Sequence, residues 1–575
     1  MTDLWRASTE IAAAVLPPEF CQAYVQPRQP RVAGEQPQPA VMLVDMEVHG
    51  TAPSDPVRVF RVANMGWASG VHDEPASVLW QARMLGDIDM SQSAIDAVGV
   101  GGLVALTVVD FELFNQDQAL SDAVRYGTAD GRSVTIRAAD ALPSCPVLLG
   151  ADGAVLTAFD SGAVLTAGNP EASLADFPIG WTGHVRAISA SKLHTATVSA
   201  VDVAERLATP LQASRYAGTG GLEGPLALKD APRPVCLGQV FNIEPIALGN
   251  IDLGDGTLPT YQSHWRAIVA HDVVRIRGVA QEMVTGTRPS VGQARDYPAL
   301  GMFQLGSSPD GAVTADVRGD SVGGYADSTG GILRRLLLSL GPKLSAADLH
   351  VTAWDYAEYD LPGVVGWYRG TADLSASEAA QEIVAGSGAV LCGNRNGLLR
   401  LFDPLVADAT QIDLQPEWMI DLHPVPMPAG LRPLPRAVAI AWRRNWKPLS
   451  DLAGSVAGDA RQQLVNDSSG PARVESAVLT ARVAQPRDLR FAGLYWNESE
   501  AAARARKWLD WLETGPRIFE VRTDRFLGQI ECGDIATITF PGYGLEAGVK
   551  GVVVAWRESL AARRLTMTIC TLPGA

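Results

Sequence analysis

Val57-Arg58-Val59-Phe60-Arg61-Val62 is close to a strict period-two alternation, the pattern of a strand whose two faces meet different surroundings. The chain around it repeats the theme. Residues 41–48 upstream carry the same alternation, and 103–114 form a longer apolar run. Asp130-Gly131 divides 124–127 from 134–137 as the turn of a hairpin does. Asp160-Ser161-Gly162 divides 154–157 from 163–166 in the same way, and 189–192 lies between 185–188 and 195–200. Residues 41–204 therefore read as a meander of antiparallel strands.

Residues 205–310 continue β-rich, opening on the glycine-rich loop Tyr216-Ala217-Gly218-Thr219-Gly220-Gly221-Leu222-Glu223-Gly224 and later turning at Asp255-Gly256. Helices enter at 311–435. One covers 330–340 and stops at Gly341-Pro342; Ser375 and Glu378 form a capping box for another through Val384, ended by Gly386. A hairpin of 390–393 and 398–402 follows across 394–397. In 436–575 one strong helix is capped by Asn497 with Glu500 three residues on, continues to Leu512 and ends at Gly515-Pro516. Strands at 519–523, 535–540, 549–556 and 565–572 close the chain. Residues 1–40 differ from all of this. After a short helix around 9–15, Pro17-Pro18 opens a Pro/Gln/Arg-rich arm that has no means to build a core and favours extended conformations. The expected fold class is mainly β with a few short helices, a multidomain β-barrel or sandwich with α+β insertions.

Composition agrees. A chain of 575 residues exceeds one hydrophobic core, and 47% hydrophobic content excludes global disorder. The 56 glycines and 37 prolines punctuate many short strands. Charged residues are 19% against about 25% in an ordinary globular protein, which points to a surface partly covered by neighbours. The net charge of −16 leaves no Lys/Arg excess for sequence-independent nucleic-acid binding. No apolar run reaches the length of a membrane span, and the N-terminus lacks the basic region of a secretory signal. The six cysteines, Cys21, Cys145, Cys236, Cys392, Cys532 and Cys570, contain no CxxC pair and are expected as buried small hydrophobes of a chain folded in a reducing cytoplasm.

The motifs that resemble catalytic ones fail on chemistry. Gly218-Thr219-Gly220 lacks the third glycine of a dinucleotide fingerprint; Glu223 stands there, and its carboxylate repels a pyrophosphate. These glycines are expected to serve a turn that needs positive φ. Ser189-Ala190-Ser191-Lys192 has SxxK spacing but lies between strand-like runs, without the helix that gives the spacing meaning, and is expected as a surface turn. The eight histidines form no HExxH or HxH pattern. His72-Asp73 and His271-Asp272 place neighbours on opposite faces of a strand, and the histidines are expected in solvated loops. Among 63 acidic residues, paired carboxylates for glycoside hydrolysis remain the one enzyme class that motif reading leaves open. The expected catalytic, cofactor-binding and metal sets are each none, and the chain is expected not to be an enzyme.

Four stretches carry a resemblance. Val57 to Trp67 with 106–110 and 122–132 (Tyr126-Gly127-Thr128-Ala129-Asp130-Gly131-Arg132) resembles the opening domain of bacteriophage tail-tip, or baseplate hub, proteins. Arg215 to Gly224, with Pro234, Gly238 and Asn242-Ile243-Glu244-Pro245, resembles the next segment in family order. Val313-Thr314-Ala315-Asp316-Val317-Arg318-Gly319-Asp320 follows. Cys532-Gly533-Asp534-Ile535-Ala536-Thr537-Ile538-Thr539-Phe540, with Tyr543-Gly544-Leu545 and Val552-Val553-Val554, is similar to the closing domain. The resemblance implies a structural subunit of the virion tail tip, a homotrimeric hub ring that closes the tail tube. It implies partners among distal-tail, tape-measure, baseplate and fibre proteins, DNA only in transit during ejection, and no membrane segment. The alternatives are a tail-associated cell-wall hydrolase, which needs a compact catalytic module, and a receptor-binding tail fibre, which needs repeats or heptads. Strands facing the channel are expected to be acidic, so that DNA slides, with the region of Asp534 and Glu546 as candidates.

Overall fold

The computed structural model describes residues 40–52, 54–94, 102–104, 107–139, 173–192, 194–254, 256–406, 412–484 and 487–572. The expected arm, Ala40 apart, lies outside the described residues, as do the expected hairpin at 154–166, Cys21 and Cys145. Strand makes up 42% and helix 20%. The fold is mainly β with a few short helices, as the alternating patterns imply.

The decisive stretch, Val57–Ala63, lies antiparallel to Val41–His49, with Val62 opposite Val44 and Val57 opposite His49. Together they sit inside a nine-stranded sheet whose order is Trp67–Ala68, Leu79–Ala82, Val57–Ala63, Val41–His49, Ser133–Ala139, Ile179–Lys192, Thr195–Val201, Val108–Phe114 and Met84–Leu85. Burial alternates along Ser133–Ala139 and Thr195–Val201. One face therefore presents Val134, Ile136, Val198 and Ala200 to a core and the other keeps Ser, Thr and charged side chains.

The closing sheet runs Ile412–Leu414, Ile535–Phe540, Leu545–Ser559, Arg564–Thr571, Ile518–Thr523 and Asp421–Val425, and Asp89–Ser93 pairs alongside Leu545–Ser559. Its apolar face and that of the first sheet form one core: Val44, Met46, Ile136, Phe111 and Val198 share a buried cluster with Val521, Val553, Trp556, Met567 and Ile569. The two ends of the chain thus make one body. Between them in sequence stand two five-stranded sheets of residues 235–369. A second large core gathers the helices Thr329–Ser339, Val351–Asp360, Ala376–Ser387 and Glu498–Glu513.

Sheet membership crosses the expected divisions at 204, 310 and 435, the first where Asp89–Ser93 pairs with Leu545–Ser559. Val313–Asp320 pairs with Val235–Ile243 and Ile268–Ile276, ahead of the expected boundary at 310. Ile412–Leu414 and Asp421–Val425 pair with Ile535–Phe540 and Ile518–Thr523, beyond the boundary at 435. A strand settles where its ladder and its apolar face are completed, and those partners are remote in sequence.

Local elements differ from expectation at four places. The hairpin arm at 124–127 is instead the helix Ser121–Tyr126, with Asp122 in its first turn and Arg125 in its last. Gly127 closes it at φ 63° with its N–H on the Ala123 carbonyl, a left-handed cap that suits glycine. Residues 189–192 are not a turn but the end of the strand Ile179–Lys192, paired with Thr195–Val201. The Ser375–Glu378 capping box forms as expected, but that helix runs to Ser387 and is capped by Gly388 at φ 73°. Asn497 precedes its helix without a side-chain capping bond, and the Glu500 carboxylate, which would complete a box from the other side, accepts instead from the Val364 N–H at 3.0 Å.

Candidate functional site

Arg395 stands at the tip of the turn between Val390–Gly393 and Leu399–Phe402, and it joins the first sheet to the closing one. Its Nη1 donates to the Gly180 carbonyl at 3.0 Å, its Nε to the Ile530 carbonyl at 2.6 Å and its Nη2 to Glu558 at 2.6 Å. The guanidinium lies 3.8 Å from the Trp556 ring centre. Its own backbone N–H donates to Glu531. Beside it Arg400 bonds Asp534 at 2.8 Å, with Glu531 at 3.4 Å. Burial, with the Asp534 charge beside it, raises the Glu531 carboxyl above the usual carboxylate range against the pull of Arg400. Arg395 is 3% exposed and Glu558 0%, so the charges hold one another in a dry seam. Asp534, expected on a channel wall, is one of them. It is turned inward by Arg400, while Glu546 is exposed.

Above this seam the outer face of the closing sheet forms a groove of about 670 Å³. The strand register arranges it in rows. Ser91 faces Arg557, Arg557 faces Thr566, and Thr566 faces Arg522. In the next row Asp89 faces Ser559, which faces Arg564. In the row on the other side Ala555 faces Thr568, Thr568 faces Glu520, and Glu520 faces His423. Ser559 donates to Asp87. Among the described residues, the side chains of Arg522, Arg557 and Arg564 have neither ion pair nor hydrogen bond. The Arg522 Nε is cut off from solvent with no acceptor.

A second polar cluster lies in the sheets of residues 235–369. Asp296 accepts from the His271 ring Nδ1 at 2.7 Å and from its backbone N–H, and the His271 Nε2 meets the Ser263 hydroxyl at 2.9 Å. The distances are those of an acid–histidine–serine relay, yet the surroundings are not those of a nucleophile. Ser263 is 0% exposed, and the Ser263 and His264 amides, the nearest oxyanion donors, are both spent on the Gly301 carbonyl. The relay ties three strands together. His264 is also fully buried; its Nδ1 accepts from the Cys236 amide, and burial lowers its pKa to about 3 despite Asp320 nearby. The expectation of solvated loop histidines is therefore corrected at both positions. Each has a partner remote in sequence, so no local pattern marks it.

The glycine-rich loop is a closed turn. Gly218, Gly220, Gly221 and Gly224 all have positive φ, and Glu223 reaches back to the Ala217 N–H at 3.0 Å and to Arg233 at 2.7 Å. The residue that spoils a nucleotide fingerprint is the one that closes the turn. The SxxK residue Lys192 is exposed and 3.8 Å from Glu112. Cys236, Cys392, Cys532 and Cys570 are free and buried. Among the described residues no group of three His, Cys, Asp or Glu is gathered as metal ligands, and no helix is long and apolar enough to cross a membrane.

No protein-family model matches the chain, and no curated protein matches it in sequence. The solved structures that the chain matches include three tail proteins. One is the 43 kDa tail protein of prophage MuSo2 from Shewanella oneidensis, at 9% identity over 93% of this chain and 97% of that one, with a TM-score of 0.33. Another is the tail protein from Neisseria meningitidis MC58, at 8% identity over 92% and 96%, TM-score 0.35. A third is prophage tail protein gp18 from Listeria monocytogenes EGD-e, at 9% identity over 93% and 95%, TM-score 0.30.

Proposed function

We propose that this chain is a structural subunit of a phage tail tip, a baseplate hub that assembles as a trimeric ring at the end of the tail tube. The observation that carries the reading is the union of the two ends of the chain. The segments that resemble a hub's opening domain, around Val57–Ala63 and Val108–Phe114, and those that resemble its closing domain, around Ile535–Phe540 and Leu545–Ser559, fold on one core. The closing sheet keeps an outer face of hydroxyl and charged side chains. The buried Ser263 relay favours no hydrolase, since no substrate reaches its hydroxyl. In this reading the ring joins distal-tail and tape-measure proteins to fibres and lets DNA pass during ejection. Multi-angle light scattering on the purified chain tests it. The expected mass is about three times 60.9 kDa, and a stable monomer at high concentration would overturn it.

A further inference from the structure

We propose that the outer face of the closing sheet is a docking groove for an acidic, extended segment of a partner protein, held by Arg522, Arg557 and Arg564. Arg557 and Arg522 flank Thr566 in one cross-strand row, which sets their Cα atoms roughly 10 Å apart, two strand spacings. Arg564 lies two residues from Thr566 on the middle strand, roughly 7 Å away on the same face. Three guanidiniums this close repel one another, and an isolated sheet avoids such rows. Several other arginines of the chain are paired, among them Arg266 with Asp320, Arg275 with Asp316, Arg395 with Glu558 and Arg504 with Asp403. Those in the groove have no partner among the described residues, and Arg557 and Arg564 are exposed. Their guanidinium donors are open to an oxyanion supplied from outside, which also offsets the mutual repulsion.

The anion is a carboxylate rather than a phosphate polymer because of what borders the arginines. Asp89 lies at one edge of the groove and Glu520 at the other. A nucleic-acid backbone crossing the sheet would run onto both, whereas a peptide places single carboxylates over the basic centre and keeps clear of the rim. The Ser91 and Thr566 hydroxyls add neutral donors to a peptide's carbonyls. The inference does not rest on the ring reading, since a single chain contains the whole groove.

Fluorescence anisotropy on the full chain, with a labelled ten-residue polyglutamate peptide and in parallel a 20-base-pair DNA duplex, tests it. The expected result is salt-sensitive peptide binding, weakened at least tenfold in R522Q/R557Q/R564Q. That variant should melt at or above the temperature of the parent, because like charges have been removed. The control R58Q/R288Q/R490Q takes the same charge from exposed positions elsewhere and should bind as the parent does. Equal loss in both variants, or duplex bound more tightly than peptide, overturns the proposal.

Discussion

Arg395 shows how one side chain can decide a tertiary arrangement. Its guanidinium serves two carbonyls and the Glu558 carboxylate, and removing it leaves Glu558, fully buried, with one backbone donor from Gly528 and no counter-charge. Breaking a buried pair from one side costs roughly 3–5 kcal/mol. Arg395→Ala should therefore lose most of that in urea unfolding, while Arg395→Met with Glu558→Gln should recover a good part. A second residue-scale expectation concerns pH. Burial beside Asp534 raises Glu531 in the folded chain, so the folded state binds the proton more tightly than the unfolded one does. Its contribution is fully present below the ordinary glutamate value and is lost as pH rises through the raised one. Melting temperatures between pH 4 and 7 should show a downward slope that Glu531→Gln lessens; an unchanged slope would place the titration elsewhere.

At the scale of the element, the two helix caps make a matched pair. Ser375 accepts from the Glu378 amide at 3.2 Å and Glu378 from the Ser375 amide at 2.8 Å, so Ser375→Ala should cost about 1 kcal/mol. The cost should be read as faster hydrogen exchange at the Glu378 amide. Asn497 makes no such bond, and Asn497→Ala should stay within about 0.5 kcal/mol, as surface changes do. Both were legible as capping boxes, and only one is built; the Glu500 carboxylate is taken by the Val364 N–H. The strand Asp89–Ser93 is a different case. It has five residues, pairs with Leu545–Ser559 across more than 450 positions of sequence, and sends the Gln92 amide to the Gly393 carbonyl at 2.7 Å. Gln92→Pro removes the ladder donor as well as that bond, and exchange protection in 555–559 should fall.

For the whole molecule, the shared core predicts cooperative dependence of the two ends. The apolar face of the first sheet is covered by side chains from Val521, Val553, Met567 and Ile569. A fragment ending at residue 202 exposes that face to water and should bind a hydrophobic dye without a fixed near-ultraviolet signal. Addition of a fragment spanning 407–575 should restore the signal. A first fragment that melts cooperatively alone would show two cores where one is drawn. The sequence by itself determined the β class, most strands, the helix Ala376–Ser387 with its cap, the glycine turn at 216–224 and the absence of a recognisable catalytic motif. These rest on period, turn chemistry and spacing, which act within about ten residues. Only the tertiary structure decided that the chain ends close on each other, that Asp534 faces Arg400 rather than a channel, that His271 joins Asp296 and Ser263, and that three arginines meet on one face. Each of those depends on which strand lies beside which and in what register. Register is set by burial of apolar faces between segments hundreds of residues apart, and no local pattern records it.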